Sequence, residues 1–449
     1  MIGDEMSTND LAVSLPKGPR GKWGPTLKII KNPRQAFAGW IAQYGDPFFI
    51  QALNGPVVLT GRADLIKLVF GGDPDHFSPF ATQTIGPILG FGSMLMLEGA
   101  EHKRERRLMM PMFHGDRMKA YASTMQQVAL EQITACQSAD SFLTLDLMTN
   151  VSMEVIVKAI FGGRDPAHGL RMFEAGREVV KRASPLLFFS KKTHFSFFGL
   201  SPWDRYLKAK ADLSAAIDSE LDDRQNSGDA GEDILSLLAS ATYEDGSSIT
   251  RQHIQDELQT FLFAGHETSA LAMTWAMYHL HTHPETLARL RQELQAVPDD
   301  DAEQLAQVPY LKAVVQETLR MNPVVTEVIR VLNRPLTLGS YHIPAGYGVA
   351  PATVVAHYNE QTYPEPNRFR PERFLERSFS PFEYMPFGGG SRRCIGAAFA
   401  SFEMAIVLGT LLKRFQFQLL ETKPVVPVRR NVTLGPSTGV RMKCLENAA

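Results

Sequence analysis

One cysteine in this chain stands in a setting built for reactivity: Phe387-Gly388-Gly389-Gly390-Ser391-Arg392-Arg393-Cys394-Ile395-Gly396. With no second thiol or imidazole nearby, it lacks the ligand set of four-coordinate zinc. The glycine run fails as a dinucleotide loop, because Arg393 stands where the third glycine of GxGxxG is required. What remains is a thiolate on a tight turn ahead of a helix. Its arginines suit anionic groups, and its glycines let a flat group approach the backbone. The competing reading is a buried structural cysteine in a glycine-rich turn.

A second cluster, Ala264-Gly265-His266-Glu267-Thr268, falls within a long helical pattern, where glycine and an acid–hydroxyl pair are costly. His266-Glu267 invites a zincin reading, but residue 270 is Ala270 where HExxH needs histidine. The plainer alternative is a kinked core helix with an incidental polar step. Two further pairs complete the set. Glu317 and Arg320 are spaced i, i+3, as for a salt bridge, and His102 and Arg106 are spaced i, i+4 on one helix face. Alone, either pair is as readily a solvated surface feature.

In order along the chain, these pieces resemble the cytochromes P450. The cysteine loop matches FxxGxRxCxG at Phe387, Gly390, Arg392, Cys394 and Gly396, and Ala264–Thr268 matches [AG]Gx[DE]T. ExxR at Glu317–Arg320 is followed by Pro371-Glu372-Arg373-Phe374. The resemblance implies a mainly α fold with small β-sheets, and a b-type haem held between a long central helix and the cysteine loop. It makes Cys394 the axial iron ligand, with the thiolate donating electron density. It assigns Arg392, His102, Arg106 and Arg330 to the haem propionates. It implies that Gly265 lets the helix pass close over the haem, that Thr268 hydrogen-bonds the bound oxygen or its water, and that Glu267 relays protons inward. The Thr268 hydroxyl is expected to compete for the Ala264 carbonyl four residues back. Glu317, Arg320 and Arg373 become a buried charge network bracing the cysteine loop. Histidine at 102 replaces the tryptophan common in eukaryotic members, as is usual in bacterial ones.

Elements must position these groups. Asn32 and Pro33 open a helix to Tyr44, and residues 48–60 read as a hairpin turning at Asn54-Gly55, ahead of a short helix over 63–70. Residues 83–99 read as an apolar, glycine-rich loop, 101–110 as a basic helix, and 116–238 as successive helices. Thr250 caps a helix of about 30 residues that Pro284 stops. Two more helices cover 284–296 and 311–321. Strands follow Pro323, and a last helix from Ala397 to Phe415 precedes terminal strands. With no repeat or linker, one domain over 1–449 is expected, 1–25 being a flexible entry segment.

The 449 residues are 44% hydrophobic and 21% charged, with formal net charge −2, which disfavours a nucleic-acid-binding role. Three widely spaced cysteines fit a reducing compartment. The acidic, polar residues 1–10 resemble neither signal peptide nor anchor, so a cytoplasmic monomer without an integral membrane segment is expected. His279, His281 and His283 do not share a helix face and read as capping or surface residues. Lys103, Arg104, Arg107 and Arg393 suit either an acidic electron donor or a solvated face.

The resemblance implies a monooxygenase acting on an apolar substrate such as a fatty acid or terpenoid. Its pocket would draw on 85–95, Phe261, Ala264, 324–328 and Leu434, with the aromatic stretch 186–200 over the access channel, on a membrane surface, or in the core. Electrons would come from a separate ferredoxin or flavodoxin-type donor and its reductase. The rivals are a peroxide-driven peroxygenase, disfavoured by the Glu267–Thr268 pair, and a non-enzymatic haem-thiolate sensor.

Overall fold

The structure is a computed structural model that describes residues 13–115, 117–162, 166–183, 187–188, 191–227, 231–299, 301–430 and 432–445. It is mainly helical with small sheets. The chain forms two compact units. The first comprises Met1–Phe80, Thr326–Pro364 and Ser380–Arg393, and the second Ala81–Val325, Glu365–Phe379 and Cys394–Ala449.

The first unit holds the main sheet, ordered 48–52, 55–60, 348–351, 330–332, 77–79. Its 48–52/55–60 hairpin turns at Asn54-Gly55, pairing Phe48 with Leu59 and Ala52 with Gly55. The non-local 55–60/348–351 pairing is parallel, Val57 opposite Gly348. A helix over Pro33–Tyr44 begins as expected, with the Asn32 side chain accepting the Gln35 N–H at 3.0 Å and Pro33 in the first turn. Val58, Ile66, Val69, Phe70, Leu332, Ile343 and Val349 pack into one core.

In the second unit the helix Thr144–Phe161 packs against Arg251–Thr282, and Ala397–Arg414 against Arg117–Gln137. Arg251–Thr282 is buried on nearly all sides, so its apolar residues occur around the whole circumference. Thr250 caps it, accepting from His253 N at 3.2 Å.

Three expectations are corrected here. Residues 83–99 are not all loop, since Thr82–Leu89 is helical despite Pro87. Its end is held from far away in sequence: the Ile88 carbonyl accepts Tyr206 Oη at 2.6 Å, Gln259 Nε2 at 2.9 Å and Lys210 Nζ at 3.1 Å. The entry segment 1–25 leads at its end into a helix, Trp23–Lys31. Finally, His279 is buried, stacked on Phe369 with ring centroids 4.7 Å apart and hydrogen-bonded to Asn322 Oδ1 at 2.5 Å. Burial lowers its pKa to about 4, and that of His281 likewise.

Candidate active site

The glycine run of the cysteine loop belongs to the first unit and is shaped around Phe70. A Cβ on Gly389 would lie 2.3 Å from the Phe70 ring, and one on Gly390 2.3 Å from the Phe70 carbonyl oxygen. Gly388 and Gly390 also hold φ of 67° and 68°, the left-handed region where glycine is strain-free. Gly389 and Gly390 therefore allow close packing on Phe70.

Arg330, the first residue of strand Arg330–Leu332, and Arg392 converge in this unit, lining one small recess with Phe70, Phe77 and Gly390. Arg330 donates to the Ile329 carbonyl at 3.3 Å. Its pKa falls to about 10, through desolvation first and the like charge of Arg392 second. Two adjacent cations, one of them desolvated, are suited to anionic carboxylates. Phe387 is half-buried.

The chain crosses into the second unit between Arg393 and Cys394. Cys394 is exposed, outside any disulfide, three residues ahead of the helix Ala397–Arg414, which Gly396 opens. His102 is buried and Arg106 half-buried one turn apart on the helix Gly99–Met109. Two of the neighbouring cations are engaged on the turn after Thr242. Arg104 lies 3.9 Å over the Tyr243 ring, and Arg107 pairs with Glu244.

Midway along Arg251–Thr282, Ala264 is exposed and Gly265, Glu267 and Thr268 are half-buried, although residues on both sides are buried. A mid-helix opening of this kind, in the unit that also carries the exposed Cys394, matches what a flat apolar cofactor would cover. Thr268 Oγ1 donates to the Ala264 carbonyl at 2.6 Å, as expected. Gly265 also has a close neighbour on another helix. A Cβ there would meet Ile156 Cγ1 at 3.2 Å, so its smallness serves packing against Thr144–Phe161. Desolvation raises the Glu267 pKa, against the opposing pull of Arg430. His266 points away, buried, with Nδ1 2.7 Å from the Leu262 carbonyl, and burial lowers its pKa.

Glu317 is fully buried. Its Oε2 accepts Arg320 Nε at 2.7 Å, and its Oε1 accepts Arg320 Nη2 at 2.8 Å, Arg370 N at 2.9 Å and Arg373 Nε at 3.1 Å. Bidentate geometry of this kind fixes orientation as well as charge. The network ties 365–373 to the helix Pro309–Met321.

Three carboxylates were missed in the sequence. Asp256 and Glu257, both buried, accept the Gly92 N–H at 3.0 Å and the Met94 N–H, fastening 90–97 to the long helix. Burial lifts the Glu257 pKa well above its ordinary value. Glu403, on the helix after Cys394, is buried with Oε1 unpartnered and the Ser152 and Ser269 hydroxyls beside it. Burial pushes its pKa to about 7. Only Glu403 carried a sequence signal, as an acid within an otherwise apolar helical pattern; Asp256 and Glu257 stand among polar neighbours.

A lone cysteine on a glycine-rich loop, an opening in a buried helix and a desolvated arginine beside a second one suit a haem-thiolate protein. The family model for cytochrome P450 matches residues 16–441. The putative cytochrome P450 138 of Mycobacterium tuberculosis (strain ATCC 25618 / H37Rv) is 33% identical over 441 residues, 96% of each chain. The putative cytochrome P450 135B1 of the same strain is 32% identical over 440 residues, covering 96% of this chain and 92% of the relative. Among solved structures, the retinoic-acid-bound cyanobacterial CYP120A1 superposes with a TM-score of 0.86 at 24% identity, over 97% of this chain and all of that one. The haem domain of cytochrome P450DA gives 0.85 at 21%, over 97% and 98%. The chain belongs to the cytochrome P450 family of haem-dependent monooxygenases.

Proposed function

We propose that this P450 inserts one oxygen atom of O2 into an apolar, lipid-like substrate, using a b-type haem and electrons from a separate ferredoxin or flavodoxin-type donor. When bound, the haem supplies oxygen activation at an iron carrying a thiolate. Cys394 gives that thiolate. Arg330, Arg392, His102 and Arg106 hold the propionates, the desolvated Arg330 beside the like charge of Arg392 being the observation that most favours an anionic partner.

The chain's own proton chemistry sits at residues 264–268. Thr268 Oγ1 is held on the Ala264 carbonyl and can rotate to donate outward once another acceptor is offered. Glu267, with its raised pKa, retains a proton more readily than an exposed carboxylate and can pass it toward the Thr268 side of the helix. The acid–hydroxyl pair favours monooxygenation over peroxide-driven chemistry or a sensor role.

The observation that carries the substrate class is the set of apolar groups left open in the second unit: Phe91, Leu95, Ala264 and Val325. Exposed apolar groups of this kind suit an apolar ligand. Titrating fatty acids and terpenoids against the ferric protein tests this, the expected result being a low- to high-spin shift. A shift with polar amines or peptides, and none with lipids, overturns the substrate class. A reduced, CO-bound spectrum without the thiolate signature in folded protein overturns the role of Cys394.

A further inference from the structure

Residues 90–97 carry the exposed Phe91 and Leu95, yet their backbone is seated on carboxylates of the long helix. Asp256 Oδ2 accepts the Gly92 N–H at 3.0 Å, and Glu257 Oε1 accepts the Met94 N–H. The fit is close. A Cβ on Gly90 would lie 2.0 Å from Asp256 Oδ1, and one on Gly92 2.5 Å from His253 Cδ2, so only glycine brings the chain this near. One turn further along the helix, Thr260 Oγ1 donates to Ser93 Oγ at 2.8 Å.

A third carboxylate, Glu105 on the helix Gly99–Met109, lies near enough for its charge to repel that of Glu257. Exposures of Glu257, Glu105 and Asp256 are 0%, 1% and 3%, so water screens none of them. Glu257 Oε2 and Glu105 Oε2 are both buried without a hydrogen-bond partner. The surrounding elements compensate little of this charge. His253 Nδ1 lies 3.8 Å from Glu105 Oε1, and Tyr243 Oη donates to that same oxygen. Arg104 is spread over the Tyr243 ring and paired with Asp245, and His102 is buried one turn before Glu105. From the helix Pro202–Ser227, Lys210 and Tyr206 lie within reach of the Asp256 charge, but both donate to the Ile88 carbonyl. Three carboxylates in so dry a cluster cannot all ionise, and the least exposed one keeps a proton. Desolvation, opposed by the Met94 N–H and reinforced by the charges of Glu105 and Asp256, holds Glu257 well above its ordinary 4.5.

We propose that Glu257 is a protonation-dependent positioning residue for residues 90–97: neutral, it seats the Met94 amide, and ionised, it draws in water and releases the segment that presents Phe91 and Leu95. The charge is hydrated only when the backbone lying on these carboxylates lifts away. Once released, Glu257 titrates at its ordinary 4.5, whereas seated it holds its proton to higher pH. Release is therefore favoured progressively as pH rises from 4.5 toward the seated value, by at most about tenfold per pH unit for one proton. The consequence for substrate rests on the apolar pocket proposed above; the seating of 90–97 does not.

Hydrogen–deuterium exchange of the holoprotein between about pH 6 and 9 tests it, read on peptides spanning 90–97 and corrected for intrinsic base catalysis. Wild-type protection should fall by up to about tenfold per pH unit. In Glu257→Gln, whose amide oxygen still accepts the Met94 N–H, protection should stay flat across the same range. A merely structural role would change the level of protection but not its pH dependence. Glu105→Gln removes one repelling charge and should make the fall level off at lower pH, which decides the matter if Glu257→Gln does not fold. Protection independent of pH in wild type overturns the proposal, as does a fall that Glu257→Gln retains or a plateau that Glu105→Gln leaves in place. In parallel, the dissociation constant of a neutral terpene, read from its spin shift, should rise over that range in wild type and not in Glu257→Gln. Absence of a spin shift at every pH, with the exchange result as expected, overturns the apolar pocket and upholds the role of Glu257.

Discussion

Replacing Glu317 by alanine removes the shared acceptor of a buried cluster. In the native protein its two oxygens take four hydrogen bonds between 2.7 and 3.1 Å, from Arg320, Arg373 and the Arg370 amide. Arg320 and Arg373 have side-chain exposures of 0% and 3%, so neither guanidinium regains water when the carboxylate goes. Breaking a buried ion pair by removing one partner costs about 3–5 kcal/mol. Desolvation of the freed Arg370 N–H adds about 1–3 kcal/mol. Because one carboxylate serves both terms, they overlap, and a loss of about 4–6 kcal/mol is expected. Against a typical total of about 5–15 kcal/mol, a large share of the stability is at stake.

Urea unfolding followed by circular dichroism, together with haem content from the reduced CO spectrum, reads both consequences. Glu317→Ala should yield little folded, haem-loaded protein. Glu317→Gln keeps the shape and one acceptor while removing the charge, and should fall between alanine and wild type. Recovery of fully loaded Glu317→Ala with a wild-type unfolding midpoint would refute the reasoning, because the arginine charges would then have found compensation elsewhere.

Three other outcomes follow from the geometry. Glu403 holds its proton more tightly folded than unfolded, its pKa being raised from 4.5 to about 7. Stability should therefore fall as pH rises through that window, by about 3 kcal/mol, and level off above it. Glu403→Gln should remove this slope in urea titrations between those pH values, and an unchanged slope would mean the group titrates normally. Thr268→Ala loses only a local bond to the Ala264 carbonyl, so its unfolding midpoint should stay within about 0.5 kcal/mol of wild type. A larger share of the reducing equivalents should appear as hydrogen peroxide, and full coupling to product would count against a proton role. Gly390→Ala puts a Cβ 2.3 Å from the Phe70 carbonyl at φ 68°, and should cost about 2 kcal/mol or more in the same urea assay.

Local chemistry made much of this legible. Asn32-Pro33, Asn54-Gly55, Thr250 and Pro284 each act on neighbours within a few residues, and the elements they bound occur where their types require. The site motifs were readable because they are short and dense in unusual residues. Position was readable; orientation was not. Gly265 turns toward Ile156, and the glycines of 388–390 wrap Phe70, although the sequence shows neither neighbour. The helix Thr82–Leu89 was hidden for the same reason, since the donors that complete its last carbonyl lie on residues 206, 210 and 259.

The buried acids show where this boundary has functional weight. Asp256 and Glu257 precede residues 264–268 by two turns and fasten residues 90–97, within which Phe91 and Leu95 stay open. Glu403 lies behind that motif, next to Ser269, and Ser152 beside it approaches the Gly265 carbonyl at 3.5 Å. The long helix thus presents residues 264–268 from a backbone held at both flanks by carboxylates with raised pKa values. Charging either acid would require water or a cation to enter a buried packing, loosening the helix that positions Thr268. The same desolvation that lets Glu267 retain a proton therefore acts on its buried neighbours, and the rigidity of this helix is coupled to their remaining neutral.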